Sequence, residues 1–317
     1  MRVLITTELE PDHLDCLVAS FPEVDFRAVA SSDPAQASDF NPEVLFCVRA
    51  SPELLDALPA LRWIHARSAG VEHLPLQLIA ERGILLTNGR GAHGVPVSET
   101  ALAMMLAFAT GLPALAAAQR DRAWVRPIVA PRRFELEGQT LLVVGLGDLG
   151  GTLVRKARGI GMRVVGCDRA RPSGVVGLNG FVEMDEMDVA LREADHVALC
   201  LPLTDDTRGL MSAARVAMLK RSAYLYNVGR GGLVDQSALV EALAEGKLAG
   251  AGLDVTEPEP LPPDHPLWGL RNVILTQHVA GASPHNSRRV TDQFSENLHR
   301  YLNGYPLLNL VDPGRGY

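Results

Sequence analysis

Short apolar runs alternate with amphipathic stretches along most of the chain. In the first third, RVLITT, VLFCVR, LRWIHARS and GILLTN read as strands, and HLDCLVASF reads as a helix. Most of these runs are continuous rather than alternating, which suits parallel strands covered on both faces. The middle repeats the theme. LLVVGLG, RVVGCD, HVALCLPL, AYLYNVG, GAGLDV and NVILTQHV are strand-like, with SAARVAMLK and SALVEALAEG among the helical pieces between them. Strand–helix alternation on this scale predicts an α/β fold of two doubly wound parallel-sheet domains with right-handed crossovers.

From Ser283 the alternation stops, and SPHNSRRVTDQFSENLHRYLNG reads as one amphipathic helix. A terminal helix must dock its apolar stripe, and we expect it to return to the first domain. The expected domains are therefore residues 1–97 plus 284–317, and residues 98–283, with a ligand cleft between them. The apolar stretch Ala101–Ala118 approaches the length of a membrane span, but Thr110, Gly111 and Pro113 interrupt it. It reads instead as a buried helix at a hinge or subunit contact, with Ser98 as N-cap and Glu99 in its first turn.

Composition narrows the classes. A chain of 317 residues with 47% hydrophobic and 21% charged residues affords a large core. Its net charge of −7 carries no basic block, so no nucleic-acid partner is expected. The N-terminus lacks the layout of a signal peptide. Cys16, Cys47, Cys167 and Cys200 are widely spaced and form no C-x-x-C pair. They read as thiols of a reducing, cytoplasmic environment, with neither disulfide nor metal site.

Candidate chemistry begins at LLVVGLGDLG, where Gly145, Gly147 and Gly150 keep G-x-G-x-x-G spacing after a strand and before a helix. Gly145 permits the tight turn, Gly147 lets a pyrophosphate approach the backbone, and Gly150 allows close helix–strand packing. The next strand ends on Asp168, where a carboxylate accepts from the adenosine ribose hydroxyls and favours NAD over NADP. Arg169 follows at once and weakens that discrimination; a plain turn-capping role for Asp168 is the alternative. Asp148, inside the turn, is electrostatically unhelpful to a pyrophosphate and is expected to face solvent.

Three polar residues follow strands of the middle domain: Arg230 in NVGRGGLVD, Glu259 in GLDVTEPEP and His278 in LTQHVAGAS. Strand ends converge on one edge of a doubly wound sheet. Oxidising a secondary alcohol needs a hydride acceptor and a base for the hydroxyl proton. A carboxylate against an imidazole fixes its tautomer, and a guanidinium binds a carboxylate bidentately. Taken singly, the three also suit a surface ion pair, a loop charge and a core histidine.

Together with PLTDDTRGL, AGLDVTEPEPLPPDHPLW and SAGVEHL, these motifs resemble the D-isomer-specific 2-hydroxyacid dehydrogenase family over nearly the whole chain. The resemblance implies a Rossmann NAD-binding domain inserted into a flavodoxin-like substrate-binding domain. It makes Arg230, Glu259 and His278 the catalytic set, with Asp254 and Pro202 along the cofactor. The full candidate cofactor set is Gly145, Gly147, Asp148, Leu149, Gly150, Asp168, Arg169, Pro202, Val228, Gly229, Asp254 and His278. Ala69, Gly70, Val71 and His93, with Arg230, form the substrate set. The resemblance further implies a homodimer through Ala101–Pro127, acting on a small 2-oxo or 2-hydroxy acid. Two departures stand out: Gln277 replaces a common Pro, and His93 stands where Asn is frequent. His93 either lines the substrate pocket or is a solvated loop residue. The rival readings are an NADP-preferring glyoxylate/hydroxypyruvate reductase and a non-enzymatic NAD(H)-sensing protein on the same scaffold.

Overall fold

The computed structural model describes residues 1–29, 37–314 and 316. They form two compact units, Met1–His93 with Ser283–Tyr317, and Gly94–Ala282.

In the first unit, strands β1 (Arg2–Ile5), β2 (Asp25–Ala28), β3 (Val44–Cys47), β4 (Trp63–Ala66) and β5 (Leu85–Asn88) pair in the order β2-β1-β3-β4-β5. Every pairing is parallel. This is the flavodoxin-like winding. Because side chains alternate across a strand, Leu4, Leu45, Ile64 and Leu86 fill one face. Val3, Ile5, Phe46 and Trp63 fill the other, against Val290, Phe294 and Leu298 of the C-terminal helix Asn286–Leu302. Those three residues recur every fourth position, one stripe of a helix. Phe294 stacks on Phe46 at 4.6 Å and on Trp63 at 5.4 Å between ring centroids. Strand β2 escapes the sequence reading because DFRA is an edge strand with mostly exposed residues and no apolar run.

The second unit holds β6 (Thr140–Val144), β7 (Arg163–Asp168), β8 (Gly180–Glu183), β9 (His196–Leu199), β10 (Tyr224–Asn227), β11 (Gly250–Leu253) and β12 (Val273–Leu275). Their order is β12-β11-β10-β9-β6-β7-β8, again all parallel. It is the Rossmann order with a seventh strand, and the winding reverses between β6 and β9, where dinucleotides bind. The edge strand β8, GFVE, is half-exposed and likewise carried no strand signal.

One helix boundary differs from the sequence reading. The long apolar helix begins at Gly94, not after Ser98. Ser98 lies inside it, and its hydroxyl donates to the Val95 carbonyl at 2.8 Å instead of capping the helix. The helix runs Gly94–Thr110, and a second, Leu112–Arg120, departs from it at 72° about Gly111. Gly111 has a φ of +69°, a conformation natural to glycine. Among the described residues no single helix is long and apolar enough to cross a membrane; this bent pair meets the length and composition only jointly.

Candidate active site

The glycine turn is built as its spacing requires. Gly145 follows β6 with φ +93°, and a Cβ there would lie 2.8 Å from Leu201 Cδ2. A Cβ on Gly150 would lie 1.9 Å from the Gly145 carbonyl oxygen, so the helix Asp148–Gly159 can press against the strand only without it. Gly147, the N-cap of that helix, is the opposite case: nothing in the chain lies within 4 Å of its would-be Cβ. The space in front of it is open to a phosphate, beside the positive end of the helix. Asp148 is exposed. Asp168 Oδ2 accepts from the Leu146 backbone N–H at 2.7 Å, and Oδ1 accepts from the Arg169 N–H at 2.7 Å. The acid is therefore fastened to the glycine turn itself. An open cradle at Gly147, a helix N-terminus and this anchored acid fit a nicotinamide dinucleotide.

The acid/base candidates sit in loops that leave neighbouring strands β10, β11 and β12. His278 Nδ1 and Glu259 Oε2 are 2.6 Å apart, with side chains 50% and 37% exposed. A carboxylate only accepts here, so Nδ1 carries the hydrogen and Nε2 is the nitrogen for exchange with a substrate. Glu259 Oε1 accepts from the Thr256 N–H at 3.0 Å, which fixes the carboxylate from behind.

Gln277 and His278 both have left-handed backbones, φ 53° and 57°. Such conformations cost about 1 kcal/mol or more each for residues with a Cβ. The buried Asp254 offsets this. Its Oδ1 accepts from Thr276 Oγ1 (2.6 Å) and from the Val279 and Ala280 N–H groups (both 3.1 Å), while its carbonyl accepts from the His278 N–H. The loop path also explains the departure at Gln277. Proline, with φ fixed near −65°, cannot adopt the conformation found there.

Arg230 follows β10 and donates from Nη1 to the Gly229 carbonyl at 2.8 Å. Its loop needs the flanking glycines. A Cβ on Gly229 would lie 2.6 Å from the Leu201 carbonyl oxygen, and one on Gly231 would lie 2.0 Å from that of Thr256. The arginine loop thus touches both the Leu201–Pro202 segment and the loop leading to Glu259. Buried Asn227 clamps it, donating to the Arg230 carbonyl (2.8 Å) and accepting from the Gly229 N–H (3.2 Å). Val228 is buried beside them, and Pro202 is exposed, its carbonyl accepting from Thr207 Oγ1.

In the first unit, the segment after β4 carries Ala69, Gly70 and Val71. The Ala69 carbonyl accepts from Asn88 Nδ2 (2.6 Å) and the Gly70 carbonyl from Ser68 Oγ (2.7 Å), while Val71 is fully buried. Val71 is therefore an anchor for the loop, with no side-chain surface to offer a substrate. His93 is not a solvated loop residue. It is half-buried, and the Asn286 amide donates to its Nδ1 at 3.1 Å.

Sequence reasoning missed the clamps. Asn227 clamps the Arg230 loop from two and three residues away, and the Gln236 amide bonds the N–H and carbonyl of Glu257, 21 residues on; neither amide belongs to a motif that announces it. The glycine pair around Arg230 was the available signal. All four cysteines are free thiols, and burial pushes Cys47, Cys167 and Cys200 up to about 12. Among the described residues no group of His, Cys, Asp and Glu gathers to hold a metal ion.

A Rossmann glycine turn with an anchored acid, and an imidazole–carboxylate pair at the ends of the same sheet's strands, define a dinucleotide-binding redox domain. Residues 102–280 match the model of the D-isomer specific 2-hydroxyacid dehydrogenase NAD binding domain. Glyoxylate reductase of Korarchaeum cryptofilum is 35% identical over 263 residues, covering 82% of this chain and 79% of that protein. D-3-phosphoglycerate dehydrogenase of Methanocaldococcus jannaschii is 30% identical over 98% of this chain, which spans 59% of that longer protein. Among solved structures, the D-isomer specific 2-hydroxyacid dehydrogenase of Xanthobacter autotrophicus Py2, in complex with NADPH and MES, superposes with a TM-score of 0.84 at 31% identity. That match covers 100% of this chain and 99% of the other. The chain belongs to the D-isomer specific 2-hydroxyacid dehydrogenase family, oxidoreductases with a Rossmann domain for a nicotinamide dinucleotide.

Proposed function

We propose that this chain interconverts a small, unphosphorylated 2-oxo acid and the corresponding D-2-hydroxy acid, with NAD(H) as coenzyme. The observation that carries the reading is the His278–Glu259 pair, 2.6 Å apart beside the loop that bears Arg230. Bound nicotinamide supplies or accepts the hydride at its C4. His278 does the proton work: with Nδ1 committed to Glu259, Nε2 donates to the carbonyl oxygen in reduction and accepts from the hydroxyl in oxidation. Glu259 fixes the ring and its tautomer. Arg230 grips the substrate carboxylate and polarises the neighbouring carbonyl. Gly145, Gly147, Leu149 and Gly150 shape the pyrophosphate cradle, Asp168 takes the ribose hydroxyls, and Pro202, Val228, Gly229 and Asp254 border the nicotinamide half. Ala69 and Gly70 offer backbone N–H groups to the carboxylate, and His93 tunes substrate choice; these assignments follow the sequence resemblance.

NAD is favoured because Asp168 would face the 2′-phosphate of NADP as a like charge. NADPH is the second reading, favoured by Arg169 and Arg171 close behind that acid and by the coenzyme of the Xanthobacter relative. The functional unit is a homodimer. Leu112, Leu115, Trp124 and Ile128 are exposed, Trp124 at 89%, around a groove of about 690 Å³ lined by Leu115, Ala118, Trp124 and Val129 among others. The free cysteines suit a reducing cytoplasm.

The test is oxidation of NADH and NADPH, run in parallel, against glyoxylate, hydroxypyruvate, pyruvate, phenylpyruvate and phosphohydroxypyruvate. Turnover with NADH on an unphosphorylated acid supports the proposal. Turnover with phosphohydroxypyruvate alone overturns the substrate class, and NADPH-only turnover overturns the coenzyme. NADH binding with no turnover on any acid favours a sensing role.

A further inference from the structure

We infer that Gln236 is a positioning residue of this enzyme, holding the Glu259 loop in register with the Arg230 loop; this rests on the roles proposed for Glu259 and His278. Gln236 opens the helix Gln236–Ala244, immediately after the segment that carries Arg230. That helix start is itself fixed. Asp235 caps it by accepting from the Ala238 N–H at 3.0 Å, and the Asp235 N–H donates to the Met211 carbonyl at 2.9 Å. From this base the Gln236 amide reaches across 21 residues of sequence to the backbone of one residue, Glu257, with its Nε2 also 3.2 Å from His265 Nε2. Its Nε2 donates to the Glu257 carbonyl at 2.8 Å, and its Oε1 accepts from the Glu257 N–H at 3.0 Å. The side chain thus imitates a neighbouring strand, meeting donor with acceptor and acceptor with donor.

Position makes this bond pair consequential. Glu257 lies between Thr256, whose N–H holds Glu259 Oε1, and Glu259 itself, whose Oε2 holds His278. On its other side, Thr256 is the residue whose carbonyl the Gly231 backbone abuts. Arg208 adds an exposed ion pair to the Glu257 side chain at 3.0 Å, a contact that water screens and that carries little by itself. Gln236 is the element that ties the carboxylate loop to the arginine loop through two directional bonds. Only a primary amide supplies both partners. Leucine supplies neither, and a carboxylate keeps the acceptor but turns a second acceptor toward the Glu257 carbonyl.

The experiment is a double-mutant cycle of Gln236→Leu with Glu259→Gln, with Gln236→Glu as a second variant of near-identical shape. The readouts are kcat, oxo-acid KM, NADH affinity by tryptophan quenching, and Tm. In the otherwise native enzyme, each Gln236 variant should lower kcat by roughly tenfold, about 1.4 kcal/mol of activation free energy. NADH affinity and Tm should stay near native values. In the Glu259→Gln background, Gln236→Leu should cost less than about twofold, because a residue acting through Glu259 has nothing left to position. Equal losses in both backgrounds would show a general structural role and overturn the proposal while leaving Glu259 in place. Native kcat in both single Gln236 variants would overturn it as well. Native kcat in Glu259→Gln would remove Glu259 from the mechanism, and Gln236's positioning role with it.

Discussion

His278 Nδ1 and Glu259 Oε2 meet at 2.6 Å although the two residues ride on different loops, after strands β12 and β11. Neither partner is deeply buried. The strength of the arrangement comes from its supports. Thr256 holds the second carboxylate oxygen, and Asp254 gathers the histidine loop in its left-handed path. Positioning, and not desolvation, is what the fold supplies to this pair.

Arg230 should not tolerate lysine. A single ammonium cannot grip a carboxylate and a carbonyl in the fork geometry of a guanidinium. Arg230→Lys should raise KM for the oxo acid and lower kcat/KM by about a hundredfold or more, given what a charged bidentate contact contributes. NADH binding should remain native. Steady-state kinetics with a coenzyme titration check this; a native oxo-acid KM would show that the arginine does not bind substrate.

Gly147 and Gly150 should separate binding from folding. A methyl at Gly147 meets nothing in the chain, whereas one at Gly150 would lie 1.9 Å from the Gly145 carbonyl oxygen. Gly147→Ala should keep its Tm but weaken NADH binding by tenfold or more, about 1.4 kcal/mol. Gly150→Ala should fold poorly, at a cost of about 1–3 kcal/mol or more. Thermal melts and coenzyme titrations of both proteins check the contrast, and an unchanged NADH affinity in Gly147→Ala would move the pyrophosphate elsewhere.

Acid should weaken the fold before it reaches the carboxylates. Burial lowers His65 to about 3 and His196 to about 4, from 6.5. His196 is bonded to Tyr226 and Gln139, and His65 to Thr87. Below 6.5 the unfolded chain takes protons that the folded one refuses. The contribution is therefore intact above that pH and is lost as pH falls toward 4 for His196 and toward 3 for His65, by up to about 1.4 kcal/mol per pH unit for each histidine. Tm measured from pH 7.5 to 5 should fall, and His65→Leu should flatten the slope. A Tm independent of pH over that range would contradict the assignment.

Gln277→Pro should impair this chain. The present φ of 53° is closed to proline. The loop would have to find another path, at about 1–3 kcal/mol, and kcat should fall while NADH affinity holds. Native kinetics would show that the histidine loop is not bound to this conformation.

Most of this architecture was legible because buried parallel strands are continuous apolar runs, and the proposed site residues sit at their ends. The glycine turn, Asp168, Arg230, Glu259 and His278 all follow such runs. What escaped had a physical reason. DFRA and GFVE are edge strands without a second buried face. Ser98 looked like a cap because its type suits one, but Gly94 and Val95 already continue the helix upstream of it. Gln236 is an ordinary amide whose contact arises only when loops distant in sequence meet, and Asn227 is an ordinary amide at a strand end whose clamping of the next turn no motif marks.

The proton-transfer role of His278 is measured by NADH-dependent turnover of the best oxo acid by native enzyme and His278→Ala, with NADH affinity determined on both. The variant should bind NADH as the native enzyme does and show a kcat lower by about a hundredfold or more, the scale of lost general acid–base catalysis. Turnover by His278→Ala at close to the native rate would contradict this role and remove His278 from the proton transfer.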